Sequence, residues 1–149
     1  MCCDLLLIAQ AVQGVSPTDP SFHVELDARP VAAREARKFV TEHLADLVDE
    51  GALTLLTSEL VTNGVLHART HLRLGITAGD DRVLVTCGDD DPTGAPTVPP
   101  TDHGRPSGRG LMLVDAMASQ WGVFRSDNGK TVWFTLPRGD GVVSGGGAA

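Results

Sequence analysis

The sequence predicts an α+β protein, a two-layer sandwich with helices set against a sheet. Three observations carry that prediction. Apolar residues recur at helical spacings over two segments, 31–48 and 53–65. They alternate with polar residues at strand spacing over five others, 21–28, 72–76, 83–87, 121–124 and 130–136. The strands also come in adjacent pairs beside segregated helices, in the order βαα, ββ, α, ββ.

In chain order, residues 1–20 form an N-terminal extension with little to specify it. Its apolar run Leu5-Leu6-Leu7-Ile8 lacks a basic flank and is too short to span a bilayer, and Gly14, Ser16, Pro17, Thr18, Asp19 and Pro20 read as a linker. Phe22, Val24 and Leu26 then alternate with His23, Glu25 and Asp27, the pattern of a half-buried strand. Pro30 suits a first helical turn, and Val31 to Val48 reads as a helix that Gly51 is expected to break. A second helix carries Leu53, Leu56, Leu60, Val61 and Val65 on one stripe.

After His67-Ala68 the period changes. Leu72, Leu74 and Ile76, a turn at Gly79-Asp80-Asp81, then Val83, Val85 and Cys87 make a β-hairpin ending in Gly88-Asp89-Asp90-Asp91-Pro92. From Pro92 to Gly108 there are five prolines and three glycines, a composition expected of a binding loop or lid. Ser107-Gly108-Arg109-Gly110 opens a helix over Leu111 to Ala118. Trp121 to Phe124 and Lys130 to Leu136 form a last hairpin across Ser126-Asp127-Asn128-Gly129. The glycine-rich end, residues 139–149, is expected to be disordered, which leaves 21–138 as the folded domain.

Composition narrows the function. The chain has 149 residues, enough for one domain with a real core, and 42% of them are hydrophobic. Its net charge is −7, against the basic patch expected of a nucleic-acid binder. Cys2, Cys3 and Cys87 make neither a disulfide framework nor a metal-ligand spacing, which points to a reducing cytoplasm.

Several constellations could carry chemistry. Glu59, Asn63 and His67 are spaced four apart, so they stack along one line of the second helix. A carboxylate there could take a proton or orient water, and a carboxamide could offer its oxygen to a hard cation. The bland alternative is a solvated helix edge. Gly108-Arg109-Gly110 at a helix start could cradle an anion, or could serve turn geometry alone. Asp89-Asp90-Asp91 could be a metal cluster, a solvated turn, or one buried carboxylate with two exposed neighbours, the buried one able to accept from an exocyclic amine. Gly129-Lys130-Thr131 is not a phosphate-binding P-loop: position 124 is Phe where a glycine is needed, and a strand follows where a helix is needed. Lys130 is expected to point outward from the hairpin turn. Zinc and serine-hydrolase motifs are not present in their required spacings.

Taken together, these pieces resemble the Bergerat-fold ATPases, the group that includes gyrase, histidine kinases and the anti-sigma-factor serine kinases. Ser58 to Ala68, with Glu59-Leu60-Val61-Thr62-Asn63 and His67-Ala68, resembles the N-box and is closest to the stand-alone actinobacterial anti-sigma kinases. Asp89 resembles the aspartate of the G1 box, Gly108-Arg109-Gly110-Leu111 the G2 box, and Thr131 the threonine of the final strand. The likeness covers about Ser21 to Leu136 and implies a mixed, largely antiparallel sheet with helices on one face.

The resemblance further implies ATP and Mg²⁺ as cofactors. Asn63 would hold the metal, Asp89 would take the adenine amine with support from Thr131, and Gly108 to Leu111 would wrap the phosphates. His67 belongs to the same nucleotide-binding box. Glu59 would be the catalytic base toward a protein serine or a water. Implied partners are an anti-sigma-antagonist protein of the STAS type, a sigma factor and a second copy of the chain, with no nucleic acid and no membrane. A partner-binding nucleotide sensor without phosphotransfer is the alternative; a histidine kinase is disfavoured because no phospho-acceptor helix precedes the domain. Two departures stand out. Gly64 replaces the family's alanine, which weakens the helix by about 0.5–1 kcal/mol. The G1 box also lacks its glycines, which bears on lid closure and turnover.

Overall fold

The structure, a computed structural model, describes residues 12, 14–16, 18–67, 70–91 and 113–138, with the backbone alone at His67. Its elements are β1 (Ser21–Leu26), α1 (Ala32–Leu44), α2 (Glu50–His67), β2 (Leu72–Ala78), β3 (Arg82–Asp89), β4 (Gln120–Ser126) and β5 (Gly129–Pro137), with a helical turn over 113–117. This is the α+β order read from the sequence. The five strands form one sheet in the order β1-β2-β3-β5-β4. The sheet, expected to be largely antiparallel, is antiparallel in all four of its pairings.

Helix α1 buries Ala32, Ala36, Val40 and Leu44, one residue per turn on a single stripe. It is shorter than the periodicity suggested. Residues 45–48 continue as turns, and Val48 is buried without being helical. Gly51 does not break the chain; it lies in the first turn of α2. Its amide donates to Asp49 Oδ1 at 3.0 Å, and the Leu53 amide reaches Asp49 O at 3.0 Å, so Asp49 caps the helix and overrides the glycine.

Helix α2 buries Ala52, Leu53, Leu56, Leu60 and Val61 against the sheet. Leu72, Leu74, Ile76, Val83, Val85, Cys87, Val132, Phe134 and Leu136 meet them in the main core. Strand alternation therefore sends the odd residues of β3 and the even residues of β5 toward the helices. The opposite sheet face carries a second cluster, in which Leu84 packs with Val12 and Val15 beside Phe124 and Trp133. Val12 and Val15, which fall in the sequence's linker and extension, are thus part of the packed structure. Among the described residues no helix is long and apolar enough to cross a membrane.

Gly64 lets α2 settle closely on β2. A Cβ built there would stand 3.0 Å from Leu72 Cδ2, and Leu72 is fully buried. Leu72 precedes Arg73, whose partner across the β2–β3 ladder is Gly88. The end of α2 that holds Asn63 and Gly64 therefore lies over the same end of the sheet as Asp89.

Candidate functional site

Asn63 projects from α2 and is only 6% exposed, and its Oδ1 finds no hydrogen-bond partner among the described residues. An orphaned buried carbonyl oxygen costs about 1–3 kcal/mol. A hard cation takes such an oxygen as a ligand, so Asn63 fits the metal that the resemblance implies for it. Glu59, one turn earlier on the same line, is half-buried. His67 is the last residue of α2.

The three aspartates divide nearly as one of the sequence alternatives had it, with one buried carboxylate but only one fully exposed neighbour. Asp89 is buried, Asp90 is exposed and Asp91 lies between. Among the described residues no cluster of three His, Cys, Asp or Glu side chains could hold a metal ion. Asp89 closes β3, and its inward parity follows from Val83, Val85 and Cys87 before it. The Asp91 amide donates to Asp89 Oδ1 at 2.8 Å, an Asx-type turn that bends the chain away from the strand. Asp90 is held by the Arg73 guanidinium at 2.9 Å, and its amide donates to Thr70 Oγ1 at 3.1 Å.

Lys130 does not point outward. It is the Cα partner of Asp89 across the β3–β5 ladder, and its Nζ lies 3.0 Å from Asp89 Oδ2 with both side chains buried. The same Nζ donates to Asp91 O at 3.3 Å. The outward expectation fails because a turn residue was read by its turn and not by its strand. Lys130 shares the parity of Val132, Phe134 and Leu136, all in the core, so the alternation of that strand already placed it inward.

By the same parity, Thr131 is not brought to the side of Asp89. It pairs with Gly88, and a Cβ on Gly88 would meet Thr131 Oγ1 at 3.1 Å on the face turned away from the helices. The β3–β5 ladder is drawn tight here. A Cβ on Gly129 would come within 1.9 Å of Asp89 O, so only glycine admits this approach. Gly108, Arg109, Gly110 and Leu111, the expected phosphate loop, lie outside the described residues, as does the Pro92–Gly108 lid.

Charge at this corner is also felt one rung away. Burial pushes the Cys87 thiol up to about 12, with the Asp89 carboxylate adding to the rise and Arg73 and Lys130 opposing it. The thiol is therefore inert at neutral pH. A separate apolar groove of about 190 Å³, lined by Pro30, Ala33, Thr62, Val65 and Leu66, holds none of the candidate site residues.

Comparison with known proteins matches residues 26–136 to the model of the histidine kinase-like ATPase domain. No curated protein matches the chain. Among solved structures, the RsbU and RsbW domains of Rv1364c from Mycobacterium tuberculosis superpose with a TM-score of 0.59 at 22% identity. The match covers 83% of this chain and 33% of that one, and at this identity it speaks to the fold alone.

Proposed function

The chain belongs to the histidine kinase-like ATPase domain family, and from that membership we propose that it is an ATP·Mg²⁺-binding regulatory protein of the anti-sigma type, a protein serine kinase acting on an anti-sigma-antagonist partner in the cytoplasm. The observation that carries the reading is the buried Asn63 Oδ1, without a hydrogen-bond partner among the described residues, over the end of the sheet where Asp89 is buried. Residues 21–138 form the nucleotide-binding domain in this reading.

Asn63 would hold the magnesium, and Asp89 would accept from the base through the lone pairs its two hydrogen bonds leave open. Gly108 to Leu111 would supply backbone donors to the phosphates. Bound Mg²⁺ would neutralise phosphate charge, so the chain's net −7 is no obstacle. Glu59 would orient and deprotonate the attacking serine hydroxyl, because phosphoryl transfer asks more for positioning than for covalent help.

One observation favours a second reading, a nucleotide sensor that holds a partner without transferring phosphate. Asp89 to Asp91, the root of the expected lid, is tied down by Arg73, Thr70 and Lys130. Thermal shift with ATP, with and without Mg²⁺, tests binding; a Mg²⁺-dependent rise that vanishes in Asn63→Ala is expected. Labelled ATP with candidate antagonist proteins then separates the readings. Phosphoserine that disappears in Glu59→Ala supports the kinase, and partner binding without transfer supports the sensor. No rise in melting temperature with ATP overturns both.

A further inference from the structure

Lys130 is a buried lysine to which the proposed function gives no part in holding the nucleotide. Its side chain and that of Asp89 are 4% and 5% exposed, and its Nζ lies 3.0 Å from Asp89 Oδ2. Removing two charges from water is costly, and a well-packed apolar pair at such positions is often as stable or more so. The three inward rungs beside them, Val83–Leu136, Val85–Phe134 and Cys87–Val132, are apolar. Stapling β3 to β5 is thus a weak reason for charges at this rung.

The donor and acceptor count points elsewhere. An ammonium carries three protons and accepts nothing. Lys130 gives one to Asp89 Oδ2 and one to Asp91 O, so among the described residues a third proton has no acceptor. Asp89 Oδ1 takes the Asp91 amide and Oδ2 takes Lys130, and each oxygen retains a lone pair. Among the described residues a spare donor therefore stands next to spare acceptors, on the helix-facing side of the sheet. On the edge of adenine, N1 is an acceptor and the adjacent 6-amino group a donor. That edge is the complement of the pair.

We propose that Lys130 is a base-reading residue: it donates to N1 of adenine while Asp89 accepts from the 6-amino group. The proposal rests on the nucleotide reading above and adds a specificity determinant to it. A base with a 6-carbonyl and an N1–H presents the reverse order and sets oxygen against oxygen at Asp89. A site built from buried, charged hydrogen-bonding groups rejects such a base because they are left unpaired.

Calorimetric titration of the full chain with ATP, 1-deaza-ATP and GTP in Mg²⁺ tests it, since 1-deaza-ATP lacks the N1 acceptor and keeps the amine. Wild type is expected to bind 1-deaza-ATP about tenfold to a hundredfold more weakly than ATP, the range for a hydrogen bond to a charged group. Lys130→Met is expected to bind the two alike. Equal wild-type affinities, discrimination that survives in Lys130→Met, or GTP bound more tightly than ATP overturns the proposal. If Lys130→Met fails to fold with Asp89 unpaired, Lys130→Met with Asp89→Asn, checked by circular dichroism, replaces it with the same expected loss of discrimination. The wild-type comparison needs no variant. A chain that binds ATP and 1-deaza-ATP equally well sinks the role of Lys130 alone, whereas one that binds no nucleotide sinks the underlying reading too.

Discussion

On the helix-facing side of the β3–β5 ladder, Val83 stands opposite Leu136, Val85 opposite Phe134 and Cys87 opposite Val132. One rung further, Asp89 stands opposite Lys130. Burial is nearly equal along the row; Phe134 is 0% exposed and Lys130 5%. The backbone conformation is the same strand throughout, so the difference lies in side-chain chemistry alone. The apolar end is favourable as it stands, because burial itself drives its formation. The charged end is favourable only as a pair, since either charge alone would be stranded out of water. Asn63, whose buried oxygen has no partner among the described residues, lies over this same end. Polar groups kept where apolar ones would pack as well are what the proposed nucleotide site would explain at this end of the sheet.

The largest expected effects come from breaking either end singly. Phe134→Ala should cost about 3–5 kcal/mol through the cavity it leaves, and Lys130→Met about 3–5 kcal/mol through the unpaired Asp89. Urea unfolding measures both, and a Lys130→Met loss below 1 kcal/mol would contradict a buried pair.

Making the two ends alike sharpens the contrast. Asp89→Leu with Lys130→Met should unfold no more easily than wild type and gain up to about 1–4 kcal/mol, yet lose the ATP-induced rise in melting temperature. A double variant as unstable as the single one would mean that the pair holds β3 and β5 together.

The rung between the ends gives a pH test. The Cys87 thiol rises from 9.0 to about 12 in the fold. The unfolded thiol therefore ionises first, and the stability it contributes is intact below pH 9 and lost as pH climbs toward 12. The slope is at most about 1.4 kcal/mol per pH unit. Cys87→Val should flatten that part of the profile; an unchanged slope would show that other groups set it.

Thr57 is a flaw within the apolar core, fully buried with its Oγ1 unpartnered among the described residues. Thr57→Val should raise stability by about 1 kcal/mol and leave ATP binding unchanged, and a loss would reveal a partner for the hydroxyl. The smallest effect is expected at Gly64. Alanine adds up to about 1 kcal/mol of helix propensity but presses on Leu72, which is fully buried and has nowhere to retreat. Gly64→Ala should come out as a net loss under about 1 kcal/mol, and a full kilocalorie gained would show that the helix can lift off the sheet.

Much of this was legible in the residues themselves. Alternation in 72–76, 83–87 and 130–136 and the helical stripes of 31–48 and 53–65 settle which elements form, because burying one face of a strand or helix demands that period whatever the neighbours are. Asp89 was legible as one of three candidates, and Asn63 by its position four residues after Glu59. The ends of α1 and α2 were not, since Asp49 capping outweighed Gly51. Val12 and Val15 looked like linker because their partner, Leu84, lies about seventy residues away in sequence.

From its own letters, then, the chain determined its periodicities, its order of elements and the residue types available for chemistry, all of them local properties. Only the tertiary structure decided which of them meet. The β3–β5 register set Lys130, and not Thr131, beside Asp89. Such pairings depend on strands brought together across some forty residues of intervening chain, and a shift of one residue in register would turn every one of those side chains to the other face.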